Sequence, residues 1–255
     1  MKIIGKYGWL LLIIISLLSF SNVYAANTIP IPSIQIGVTQ ADNPEQVSVL
    51  LQIIALLTII SLAPSLLILL TSFVRVAASL SFLRQAMGTQ SMPPNQIVIG
   101  LSLFLTFYIM MPVWEKVNQS AIQPYLREDI TTEKAIEKAL DPIREFMFSQ
   151  TRKKELGVFL KLSKQNKPYN KDDVPTLVLI PAFVISELKT AFIIGFFIYV
   201  PFLVIDMVVA SVLLSMGMMM LPPVMVSLPF KLMLFVLVDG WNLIAVSLVD
   251  SFVTH

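Results

Sequence analysis

The chain contains no cysteine and a single histidine, His255. Without cysteine it can form no disulfide, no thiolate nucleophile and no cysteine metal site. One histidine leaves almost no residues for imidazole acid–base catalysis or for zinc chemistry. The sequence therefore argues against an enzyme, and it predicts no catalytic, cofactor-binding or metal-ligating residue and no cofactor.

Charged side chains are also scarce, at 13% of 255 residues, where soluble domains carry about 25%. Hydrophobic residues make up 56% of the chain, and the mean hydropathy is +0.80. Because so few charges cannot cover a globular surface, the composition predicts an integral membrane protein. Of the 34 charged residues, 22 lie between Glu115 and Asp173, so this is the one sizeable water-soluble segment. The net charge of +2 gives no sign of a nucleic-acid partner.

The N-terminal segment has the pattern of a secretion signal. Lys2 and Lys6 precede a short apolar run over 9–18, and small Ala25 follows Val23 and Tyr24 at the expected cleavage position. An uncleaved transmembrane helix is the alternative, but the apolar run is short for one. The pattern favours a signal peptide over 1–25 that is cleaved after Ala25, followed by an extended tail over 26–46 that contains three prolines.

Four further apolar regions predict an all-α membrane protein with long, kinked helical hairpins and a small helical periplasmic segment. They cover 47–74, 97–113, 177–215 and 224–249. A helix needs about 20 residues to cross a bilayer core, so the third region has nearly twice the required length. It is either one bent helix or two broken pieces. The predicted division is a first hairpin over 47–113, a periplasmic segment over 114–176, a second hairpin over 177–250 and a tail over 251–255.

The predicted topology follows from a cleaved signal. With the mature N-terminus outside the cytoplasm, four crossings return the C-terminus to the periplasm as well. Arg75 and Arg84 are then expected in a cytoplasmic turn between the first two segments. The weak excess of cations on that side agrees with the positive-inside rule, in which long loops do not count.

The soluble segment carries one clear amphipathic helix. Ile136, Leu140, Ile143 and Met147 recur at helical spacing among lysines and glutamates. Two explanations stay open. The segment is either a helical hairpin packed on itself, or a surface for contact with another protein, because its aromatic side chains point in more than one direction.

Five charges interrupt the last two apolar regions: Glu187, Lys189, Asp206, Lys231 and Asp239. Each costs at least about 2.5 to 3.5 kcal/mol near a membrane centre, so each should face a partner or water. From the turn at Pro222, Asp206 lies about 24 Å back and Lys231 about 14 Å forward along ideal helices, so the two can meet if the hairpin bends. Glu187 lies about 52 Å back, too far from its own Lys231. It is expected to pair with a neighbouring subunit, or else to lie with Lys189 at the interface with water.

Five methionines crowd the turn between those two regions, at 216, 218, 219, 220 and 225, around Pro222 and Pro223. In an isolated subunit they would be flexible filler near a tight bend. If several copies surrounded an axis, unbranched thioether chains would form a deformable seal.

Three stretches carry a resemblance to a known family. They are "SFLRQAMGTQSMPPNQIVIGLSLFLTFYIMMPVW" (81–114), "AIEKALDPIREFMFSQTRKKELGVFL" (135–160) and "AFIIGFFIYVPFLVIDMVVASVLLSMGMMMLPPVMVSLPFKLMLFVLVDGW" (191–241). Together they resemble the FliP family of the bacterial flagellar type III secretion export gate, whose injectisome counterparts are SctR and YscR. The resemblance covers roughly 47–250.

The resemblance implies a pore rather than an enzyme. It implies a homopentamer that assembles with FliR and FliQ, near FlhA, FlhB and the rod and MS-ring proteins, and that passes unfolded flagellar proteins across the inner membrane at the flagellar basal body. By the same resemblance, Met218, Met219 and Met220 form a gasket that closes the pore. Glu187 and Lys231 form an inter-subunit salt bridge, Phe146 and Phe159 act in assembly, and Asp206 is a membrane-buried charge.

A secondary transporter that uses Asp206 and Lys231 as an ion or proton site is the alternative from another class. The chain shows no internal repeat of the kind that many transporters have.

Overall fold

The computed structural model describes residues 44–89, 92–163, 170–218 and 220–253. The predicted signal peptide and the predicted tail up to residue 43 lie outside the described residues. The chain divides into two compact units, 1–54 and 55–255. The first is described only through helical residues 44–54, and the ion pairs and ring contacts reported below it in the chain all belong to the second unit.

The described residues are helical throughout and contain no strand, which confirms the predicted fold class. The long helices are α1 (Pro44–Leu69), α2 (Phe73–Ala86), α3 (Asn95–Val117), α7 (Thr176–Ser215), α8 (Pro223–Leu237) and α9 (Gly240–Val253). The soluble segment between α3 and α7 holds a π-helical turn (Asn118–Ile122), α4 (Gln123–Leu126), α5 (Thr132–Gln150) and α6 (Lys153–Leu162).

Three described helices are long and apolar enough to cross a membrane, over Leu51–Leu69, Asn95–Leu126 and Thr176–Ser215. The third apolar region is one continuous helix of 40 residues, with Pro181 and Pro201 inside it. The last region is not one helix, because α8 and α9 bend by 64° at Val238 and Asp239. A positive φ of 51° at Asp239 accompanies this break.

Helix α2 runs alongside α7 in the same direction. Arg75 contacts Glu187, the Phe82 ring lies 5.0 Å from the Phe192 ring, and Tyr199 Oη donates to Gln85 Oε1 at 3.3 Å. The close approach depends on Gly195, where an added Cβ would come within 2.6 Å of Phe82 Cδ2. The antiparallel strap α8–α9 completes the packing, and we call the two ends of this group the soluble end (Arg75, Glu187) and the methionine end (Asp206, Lys231).

The position of Arg75 corrects the sequence-based topology. Residues 73–86 do not form a turn between two spans. They form a helix whose buried face carries Arg75, Val76, Ser79, Leu80, Leu83 and Ala86. Arg75 therefore lies buried at the soluble end. Arg84 lies near the other end of α2, where its Nη1 donates to Asn95 Oδ1 at 2.8 Å.

The apolar stripe of α5 is only half covered. Met147 is buried with Val174, Leu179 and Phe183, and Ile143 packs against this cluster. Ile136 and Leu140, in the first half of the same stripe, are exposed. Both explanations of the stripe therefore keep a part of the helix: its C-terminal half packs within the chain, and its N-terminal half is free for contact.

Candidate functional site: two buried ion pairs and the methionine turn

A buried ion pair joins α2 to α7 at the soluble end. Arg75 Nε donates to Glu187 Oε2 at 3.0 Å and Nη2 donates to Oε1 at 2.5 Å. Arg75 is 2% exposed and Glu187 is 0% exposed. The two-pronged geometry matches the planar guanidinium to the carboxylate, which is the strongest form of such a contact.

The same guanidinium binds two further elements. Its Nη2 donates to Gln150 Oε1 at 2.9 Å, and its Nη1 donates to the carbonyl oxygen and Oγ of Ser251 at 3.0 and 3.1 Å. The guanidinium carbon also lies 3.8 Å from the centre of the Phe252 ring, within the range of a cation–π contact. All five N–H groups of Arg75 are thus used, and one side chain ties together α2, α5, α7 and α9.

Phe146 lies beside this network. Its ring is 5.9 Å from the Phe183 ring and 6.2 Å from the Phe252 ring. Phe159 on α6 is partly buried. The assembly role expected for these two phenylalanines concerns contacts between subunits and stays a prediction.

A second ion pair lies at the methionine end. Lys231 Nζ donates to Asp206 Oδ2 at 2.6 Å, and Ser227 Oγ donates to Asp206 Oδ1 at 2.5 Å. Gly88, with a φ of 76°, brings the end of the α2 segment close to Lys231. The pair forms without a sharp bend in α7, because the helices end at Ser215 and begin at Pro223, which places the two charges 9 and 8 residues from the non-helical turn.

The structure brings neither Glu187 to Lys231 nor the two ion pairs to each other. Glu187 precedes Asp206 by 19 residues on α7, which corresponds to about 28 Å. Each of the two predicted partners has another partner within the chain. Their pairing between subunits involves a second copy and stays a prediction. Sequence reasoning missed Arg75 as the partner of Glu187, since no local pattern links two residues that lie 112 positions apart.

A third ion pair attaches the soluble segment to α7. Lys189 Nζ donates to Glu155 Oε1 at 2.8 Å, and the backbone N–H of Arg152 donates to Ser186 Oγ at 3.1 Å. The hydrogen bond from Lys189 holds the pKa of the Glu155 carboxyl below its usual value of 4.5, against the opposing effect of burial. Lys189 is thus paired rather than only solvated at an interface.

The methionine turn is open to its surroundings. Met220 is 99% exposed and Met225 is 71% exposed, while Met219 lies outside the described residues. Gly217, with a φ of 74°, turns the chain after α7, and Pro222 and Pro223 precede or begin α8. An apolar groove of about 720 Å³ between α7 and α8 reaches the turn at Met216 and Met218.

Among the described residues, no group of three or more histidine, aspartate or glutamate side chains is arranged to hold a metal ion.

Comparison with known proteins gives a consistent result. The model of the FliP family matches residues 56–248. The flagellar biosynthetic protein FliP of Bacillus subtilis (strain 168) is 55% identical over 217 residues, which cover 85% of this chain and 98% of that protein. The proteins of the same name from Aquifex aeolicus (strain VF5) and Pectobacterium carotovorum subsp. carotovorum are 49% and 52% identical, over 87% and 79% of this chain and 92% and 78% of their own lengths.

Proposed function

Because the chain belongs to the FliP family, and so takes part in flagellar protein export, we propose that it is a pore-forming subunit of the flagellar export gate. Several copies, five by the resemblance, surround a channel for unfolded flagellar proteins, together with FliR and FliQ. The chain is a structural component of the export apparatus in the inner membrane. We further propose that the signal peptide over 1–25 is removed and that both mature termini are periplasmic.

The observation that carries this proposal is the exposed methionine turn at one end of an unusually long helix. Soluble monomers do not leave such clusters uncovered, and a lipid-facing helix has no need of thioether side chains. Methionine side chains are flexible and polarizable, so they can fill an irregular opening and rearrange around different passing chains. Copies that present Met218, Met219 and Met220 toward a common axis would form such a seal.

The seal is tested by deleting 218–220 and measuring the leak of small solutes through membranes that contain the assembled gate. We expect assembly to persist and the leak to rise, because the deletion removes the side chains at the axis but not the ion pairs that hold the helices. Met111→Ala, which removes an exposed methionine from α3, is the matched control and should leave the membrane tight. An unchanged barrier in the deletion variant would refute the seal.

The proposed contact between Glu187 of one copy and Lys231 of the next is tested separately. Glu187→Ala or Lys231→Ala should weaken assembly, and exchanging the two charges should restore it. Since the native chain lacks cysteine, Glu187→Cys and Lys231→Cys in one chain, joined by a short bismaleimide, give a ladder of linked subunits without background. Normal assembly of both alanine variants and no ladder would remove this contact from the proposal.

The transporter alternative gains no support. The Asp206 carboxylate already accepts hydrogen bonds from Lys231 and Ser227, and the family to which the chain belongs is one of flagellar export proteins.

A further inference from the structure

Asp239 differs from every other charge on the last three helices. Over 176–218 and 220–253, Glu187, Lys189, Asp206 and Lys231 all have ion-pair partners, and Asp250 also has an interaction. Asp239 is the one charged side chain in these residues that lacks a hydrogen-bond or ion-pair partner. It is exposed, and it lies at the break of the α8–α9 strap.

The position of Asp239 makes an unpartnered carboxylate costly. It follows the 15 residues of α8 and precedes the 14 of α9, so each outer end of the strap is about 21 Å away along the helices. A carboxylate on a single methylene cannot reach water over that distance as a lysine or arginine does. Its immediate surroundings are apolar, since Val236 and Leu237 are 75% and 74% exposed.

Capping of α9 does not account for Asp239. A capping aspartate has an extended backbone and accepts a hydrogen bond from the first turn of the helix through its side chain. Asp239 has a φ of 51°, and only its backbone carbonyl accepts, from Leu243 N–H at 3.1 Å. The carboxylate therefore remains available to a group from outside the chain.

An apolar groove of about 580 Å³ lies against the same break. Its walls come from α7, α8 and α9, with Pro201, Val238 and Leu243 among the lining residues. Asp239 lies between the lining residues Val238 and Gly240. The surface thus presents one negative charge at the edge of an apolar trough, which suits an apolar helix that carries one positive charge.

A second copy of this chain offers no suitable cation. The five N–H groups of Arg75 are all used within the chain. Lys231 pairs with Asp206, and Lys189 pairs with Glu155. Taking any of these would leave another buried or partly buried acid without its partner, which costs more than the new contact gains.

We propose that the α8–α9 break is a docking surface for a different membrane protein, which places a lysine or arginine of an apolar helix opposite Asp239. The proposal rests on the membership of the chain in the export apparatus but not on the seal at the methionine turn. Its test measures binding and not leakage, so the two can fail separately.

The direct experiment places a photo-reactive amino acid at position 236 or 237, with Asp239 intact, in cells that produce the whole export apparatus. We expect the linked peptide to come from another protein and to be an apolar helix with a lysine or arginine. Peptides from this same chain would overturn the proposal in favour of contact between copies. Linkage to lipid alone, or no linkage, would overturn it as well.

The second experiment removes the charge. Asp239→Asn should lower the recovery of that partner after mild detergent extraction about tenfold, because the partner's cation is left without an acceptor. Asp239→Lys should abolish recovery, and reversal of the partner's charge should restore it. Glu145→Gln, in an exposed pair with Lys116, is the control and should change nothing. Equal recovery with Asp239→Asn and Glu145→Gln would overturn the proposal, and if Asp239→Asn does not accumulate, the photo-linkage decides.

Discussion

The pairing of Arg75 with Glu187 can be measured in the isolated chain by replacing each residue with methionine, which keeps the volume and removes the charge. Arg75→Met leaves Glu187 buried and also removes the donors to Gln150 and Ser251. Breaking one side of a buried ion pair costs about 3 to 5 kcal/mol. For a chain of this size that corresponds to a fall in Tm of about 6 to 20 °C. The assay is thermal unfolding of the purified chain in detergent, followed by circular dichroism.

The double variant supplies the decisive comparison. Arg75→Met with Glu187→Met removes both charges, so no uncompensated ion remains, and we expect it to recover most of the loss. The matched cycle pairs Glu187→Met with Lys231→Met. Sites more than about 10 Å apart act independently, so these two effects should add in a single chain. A double variant as unstable as the sum of Arg75→Met and Glu187→Met, or a larger coupling between Glu187 and Lys231, would refute the assignment of Arg75 as partner.

Two further predictions concern the packing of α7. Gly195→Ala should destabilise the chain by about 1 to 3 kcal/mol because the new methyl group meets Phe82; Gly100→Ala, which meets nothing within 4 Å, is the control, and equal melting temperatures for the two variants would contradict the close approach of α2 and α7. The Glu155–Lys189 pair should stabilise the soluble segment fully above pH 4.5 and lose this effect as the pH falls through the lowered pKa of Glu155, because the folded state then binds a proton that the unfolded state already holds. Unfolding by urea across this range checks it, and an unchanged pH profile in Glu155→Gln would show that the pair contributes nothing.

Hydropathy was sufficient to predict the long helices. The runs over 97–113 and 177–215 lie within α3 and α7, since about 20 apolar residues cannot leave their backbone groups unpaired in lipid and so form helices. The bend between α8 and α9 was not predictable in this way. Both sides of Asp239 are apolar, and hydropathy records composition rather than the backbone conformation that ends one helix and begins another.

Arg75 shows why the site was harder to predict than the fold. It follows the first apolar run directly, where a single arginine is typical of a loop at the membrane surface. Its burial depends on acceptors from three distant elements, which no local spacing reveals. The Asp206–Lys231 pair was within reach, because both residues lie on one hairpin and their distance along it can be counted.

The acceptors of Arg75 lie 75, 112 and 176 positions away in the sequence. During synthesis the guanidinium therefore emerges long before any of them, and its last acceptor, Ser251, arrives only when α9 is nearly made. Until then a charge that belongs in the interior has only water, lipid headgroups or a chaperone for company. A chain interrupted before α9 would carry this charge with its acceptors incomplete and would be a poor substrate for assembly. The arginine thus makes maturation of the subunit conditional on the synthesis of its last helix, and it does so without any dedicated quality-control factor.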